Sequence, residues 1–143
     1  MRTAILFLIL IFLVNVFLIV IDVDYIFRIY KIDPILHFSG GFFVAMLFAG
    51  YLKHLKIGNP GSPRLKKTLI LISVTVFIGV IWEFSEYSAT NLFGDYLYQK
   101  HGIICCIGNL DDTISDLLMD TLGAIAFVSI LLNPFRRFNS QKI

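Results

Sequence analysis

His37, Glu83, Glu86, Asp116 and Asp120 stand inside or at the ends of stretches otherwise built from aliphatic and aromatic residues. One imidazole and several carboxylates make a plausible shell for Zn²⁺, Mn²⁺ or Fe²⁺, and carboxylates alone suit Mg²⁺ or Ca²⁺. A bound cation would neutralise acids that otherwise repel one another, and it could activate a water. Glu83 and Asp116 are the candidate catalytic groups if the site does chemistry. Asp33 lies four residues before His37, where a carboxylate can fix the ring tautomer behind a metal or cap a helix. Asp112 has the same two options at the start of the last apolar block.

The spacing places these groups on shared faces. Asp112, Asp116 and Asp120 fall at i, i+4 and i+8, within about 80° of one face of a helix. Glu83 and Glu86 are three apart. His37 is followed at four-residue steps by Gly41, Ala45 and Ala49. Small residues at that interval mark the face by which membrane helices approach closely, so His37 is expected to point inward.

The elements that must position them are membrane helices. The chain is 57% hydrophobic and 15% charged, against about 25% charged in an ordinary soluble domain. Its apolar residues run in blocks of the roughly 20 residues that span a ~30 Å hydrocarbon core. Four blocks qualify: 3–21, 34–52, 68–87 and 113–132. The expected fold is all-α, a polytopic four-helix transmembrane bundle forming one integral membrane domain over 1–143. The first block is read as a retained helix and not a signal peptide, because "VIDVDY" offers no small-x-small cleavage site. A net charge of +2 gives no reason to expect nucleic acid as a partner.

Basic residues set the expected orientation. Arg2, Lys53, Lys56, Arg64, Lys66, Lys67, Arg136, Arg137 and Lys142 share one side of such a bundle, and Arg28, Lys31 and Lys100 the other. The positive-inside rule puts both termini in the cytoplasm. All ten acids then belong to the outer half. Charged groups inside a span cost on the order of 2.5–3.5 kcal/mol each and usually face a bundle interior or a cavity. The expectation is an acidic pocket, with its histidine, opening outward from a bacterial inner membrane.

Between the last two blocks, 88–112 reads as a long loop, with "YQKHGIICCIGN" placing Lys100 and His101 where they could meet a headgroup phosphate. Cys105 and Cys106 receive no role. No Walker loop, dinucleotide fingerprint, His-Glu-x-x-His or Gly-x-Ser-x-Gly motif occurs.

With "DPILHFSGG", "WEFSEY" and "DDTISDLLMDTLGA" in that order, the chain resembles the VanZ-like group of small bacterial membrane proteins, and within it the YjdF-type inner-membrane proteins. The likeness covers roughly 33–124. It implies a four- or five-helix membrane protein whose signature polar positions are Asp33, His37, Glu83, Glu86, Asp112, Asp116 and Asp120. For the group's namesake it implies a link to glycopeptide resistance. Departures from the pattern, an Asp at 120 and no matching arginine near the last helix, keep that link from carrying over.

The reading that follows is a membrane protein that binds a divalent cation and acts on, or recognises, an envelope molecule such as a lipid-linked phosphate. It leaves open whether the protein is an enzyme and what its oligomeric state is. Two other readings stand beside it: a subunit of a proton- or ion-coupled carrier, and a structural adaptor whose polar layer only specifies packing.

Overall fold

A computed structural model describes residues 1–20, 32–54, 64–103 and 109–132. Among them are four helices: α1 (Arg2–Val20), α2 (Ile32–His54), α3 (Arg64–His101) and α4 (Leu110–Leu132). The fold is an all-α bundle. By length and composition α2, α3 and α4 can each cross a membrane, whereas the apolar stretch Arg2–Leu18 of α1 is shorter. Cys105, Cys106 and the basic residues of the C-terminal tail lie outside the described residues.

Each of the three longer helices buries a ladder of four-residue steps. On α2 it is His37, Gly41 and Ala45. On α3 it is Leu71, Thr75, Gly79 and Glu83. On α4 it is Asp116, Asp120, Ala124 and Val128. Four-residue spacing stacks side chains on one face, so each ladder is a packing surface. All three carry ionisable groups at the same end and apolar or small residues at the other. The opposite faces present Phe77, Ile81, Phe84, Leu118, Leu122 and Ile125 outward, as a lipid-facing surface requires.

The most extensive interface joins α2 to α4. A methyl group on Gly41 would overlap the backbone carbonyl of Asp120, and one on Gly123 would overlap the carbonyl of Phe38. The two backbones therefore touch through reciprocal glycines. In a bilayer, where lipid is as apolar as leucine, such close packing is a main source of helix association. The expected small-residue ladder is thus a contact face down to Ala45, while Ala49 is only half-buried. α1 packs along α2, with Phe7 stacked on Phe43 at 4.4 Å, and meets α3 through an edge contact of Phe12 with Trp82.

The loop expected over 88–112 is corrected by the structure. α3 continues to His101, a helix of 38 residues, roughly 57 Å long and well beyond one hydrocarbon thickness. The polar residues that read as loop formers are absorbed locally. The side chains of Ser85, Ser88 and Asn91 donate to the carbonyls of Ile81, Phe84 and Tyr87, each four residues back. Lys100 Nζ donates to Tyr96 Oη at 2.7 Å. The helix stops where the sequence first supplies a left-handed glycine. Gly102 has φ of 69°, and the amides of Gly102 and Ile103 donate to the carbonyls of Tyr98 and Leu97, the first of these being the bond of an αL C-cap.

α4 begins one residue after its cap. Asn109 Oδ1 accepts from the Asp112 amide at 3.0 Å, so Asn109 does the capping that the sequence offered to Asp112. Asp112 is exposed in the first turn, where a carboxylate complements the helix dipole.

A candidate metal centre

The carboxylates and the histidine meet because the glycines let the helices approach. His37 is one turn into α2, 6% exposed, and faces α4. Its Nδ1 lies 3.5 Å from Asp120 Oδ2, the long end of hydrogen-bonding range. Its Nε2 lies 3.8 Å from Asp33 Oδ1 and 3.9 Å from Asp116 Oδ2. The ring is therefore bracketed by carboxylates from two helices.

The Asp120 carboxylate is held in a glycine-lined socket. A Cβ on Gly79 of α3 would run into Asp120 Oδ2, and one on Gly40 of α2 would sit 3.9 Å from Oδ1. Gly40, Gly41 and Gly79 thus leave the space that an aspartate on α4 fills. Gly79 was not singled out from the sequence. The only signal for it is its place four residues before Glu83 and four after Thr75, on the buried ladder of α3.

Glu83 closes that ladder. It is buried to 6% exposure, and the side chain of Thr113 on α4 lies beside it. Three buried polar atoms have no hydrogen-bond partner among the described residues: His37 Nε2, Glu83 Oε1 and Asp116 Oδ1. Leaving such atoms unpaired in a low-dielectric interior is costly, on the order of 1–3 kcal/mol each. Groups that persist in that state commonly await a ligand or ion.

Asp33, His37 and Asp116 form the one group of donor atoms spaced for a metal among the described residues, all within 4.8 Å of one another. Zinc binds nitrogen and oxygen donors at about 2.0–2.2 Å, so small side-chain movements bring the three to one ion. Asp33, read from the sequence as a cap or supporting carboxylate, is thus in the group. Asp120, read as a ligand, faces the other ring nitrogen. Glu86 is half-buried one turn beyond Glu83 and outside the group. Asp112 is exposed. Lys100 and His101, at the far end of α3, are roughly 27 Å along the helix from Glu83 and do not join it.

Fold and site together define a helical integral membrane protein with a buried His/Asp group inside its bundle. The chain belongs to the family described as "predicted membrane protein (DUF2238)", whose model matches residues 1–137. It is similar to an uncharacterised protein of Thermotoga maritima, 33% identical over 107 residues. That match covers 73% of this chain and 49% of the relative, so the chain spans about half the length of the relative it matches. No solved structure matches the chain significantly.

Proposed function

We propose that this protein binds a divalent cation through His37 Nε2, Asp33 and Asp116, and that the loaded site acts on or recognises an envelope molecule such as a lipid-linked phosphate. The observation that carries this reading is the trio of buried, unpartnered polar atoms, two of them within the spaced donor group. Asp120 would serve as the orienting carboxylate, since metal-bound imidazoles regularly donate their second nitrogen to one. Glu83, buried with a free Oε1, is the candidate fourth ligand or base for an ion-bound water. The short stretches by which the chain resembles VanZ-like proteins contain Asp33, His37, Glu83 and Asp116, with Asp120 a departure from that pattern.

The proposed orientation has both termini in the cytoplasm, α1 as a fourth span and the site near the outer face of a bacterial inner membrane. The extension of α3 then projects outward. In a background lacking Cys105 and Cys106, Leu92→Cys should react with a membrane-impermeant maleimide in intact cells, and Leu65→Cys should react only after lysis. The reverse pattern overturns the orientation.

Metal analysis tests the site. Protein purified in mild detergent should carry close to one Zn²⁺, Mn²⁺ or Fe²⁺ per chain, and Asp116→Asn should lose it. If wild-type protein holds no stoichiometric metal and Glu83→Gln and Asp116→Asn leave metal affinity unchanged, the reading fails. Asp120→Asn should keep the metal with affinity lowered about 10–100-fold, the usual effect of removing an orienting carboxylate. A carrier function finds less support. Inward of Asp120 the buried ladders continue as Ala45, Ala124 and Val128, and the buried Thr75 hydroxyl is committed to the Leu71 carbonyl at 2.9 Å.

A further inference from the structure

A cavity of about 220 Å³ lies between α1, α2 and α3, with His37 and Asp120 in its wall. Its wall is apolar over most of its length, with Leu8, Phe12, Val44 and Ile78 among its lining residues. Its polar residues are Asn15, His37, Thr75 and Asp120. Thr75 is satisfied within its own helix. The other three lie toward the metal group. Along α2 the lining runs from Leu36 to Val44, about 12 Å of helix. This is an apolar slot that begins at the candidate metal centre and descends toward the opposite membrane face.

Two observations say what kind of molecule fits it. The first is access. α1 is packed along α2 and meets α3 at the Phe12–Trp82 contact, and both rings line the slot, so it lies among helices apolar enough for a membrane. Amphiphiles of the bilayer are the molecules at hand at that depth. The second is Asn15, the one strongly polar residue within the apolar run of α1. It is 7% exposed, and no hydrogen bond to it is found among the described residues. An amide at that depth is costly unless a partner arrives. Asn15 lines the same cavity as His37, and an amide there can offer N–H donors to a head group.

We propose that this slot seats the first part of the hydrocarbon chain of a phosphate-headed amphiphile, whose phosphate rests against the Asp33–His37–Asp116 group and the Asn15 amide. The proposal rests on the cation reading above. Three carboxylates against one histidine would repel a phosphate, and a bound divalent ion reverses that sign.

Binding of hexadecyl phosphate and of methyl phosphate to zinc-loaded protein in detergent tests this. The long-chain probe should bind at least about tenfold more tightly, because the chain leaves solvent and detergent for a matched apolar slot. Val44→Phe and, separately, Ile78→Phe fill the slot from two different helices. Each should abolish the chain-dependent gain while zinc and methyl phosphate binding stay as in the wild type. Asn15→Leu should weaken both phosphates and leave zinc untouched. Equal binding of the two probes to wild-type protein, or a chain-dependent gain that survives both filled variants, overturns the proposal. Zinc retention in the variants reports that they are folded. If the wild type binds no zinc, the cation reading fails by itself. Hexadecanol then tests the slot separately: binding lost in both filled variants keeps the chain site, and binding unchanged in both removes it.

Discussion

Replacing His37 by alanine is expected to abolish stoichiometric metal binding, with affinity falling by about 100-fold or more, since a nitrogen ligand is lost outright. The same variant removes the group that stands between Asp33, Asp116 and Asp120, so some loss of stability is expected even without metal. The two effects separate by linkage. An ion that binds only the folded state at a hundred times its dissociation constant stabilises by about 2.7 kcal/mol. Wild-type protein should therefore melt higher with added zinc and lower with chelator, while His37→Ala and Asp116→Asn should melt at one temperature under both conditions. A polar layer that serves packing alone predicts no metal-dependent shift in any of the three proteins.

The second large effect concerns the glycines. Gly41→Val and Gly123→Val should each destabilise the bundle by about 3 kcal/mol, the upper part of the range for overpacking a core, and lower the melting temperature by roughly 10 °C. The added atoms meet backbone carbonyls, of Asp120 in one case and Phe38 in the other. A backbone carbonyl cannot swing aside as a side chain can, so α2 and α4 must separate. Because Asp116 and Asp120 ride on α4, both variants should also weaken metal binding. Enlarging Ala49, half-buried two turns further along α2, should change melting much less and leave the metal in place. Thermal melting in detergent, read beside metal content, checks both statements.

These two results bear on different readings. Loss of metal with little loss of stability in Asp116→Asn supports a cation site that folding does not require. Loss of stability without any metal dependence supports the adaptor reading. The glycine variants connect them, since they act on the site only through the helix separation that the site depends on.

The helical class was legible from block length and composition, because a span must satisfy its own backbone hydrogen bonds within lipid and so must be a helix of nearly fixed length. The inward direction of His37 was legible from the four-residue ladder below it, since a helix face is a local property of spacing. So was the placing of His37, Glu83, Asp116 and Asp120 near one end of the bundle, because successive spans cross in alternating directions and bring those ends together. The end of α3 was misread for a local reason. Serine and asparagine can leave a helix or bond back to its carbonyls, and only the actual side-chain rotamers decide which. What the tertiary structure alone decided is the division of labour around the imidazole. Asp33 and Asp116 share Nε2 and Asp120 takes Nδ1 because the contacts of Gly41 with the Asp120 backbone and of Gly123 with the Phe38 backbone set how far α4 slides along α2, and Gly79 leaves room for the Asp120 carboxylate. Register between helices is a property of two surfaces in contact, and no single helix carries it.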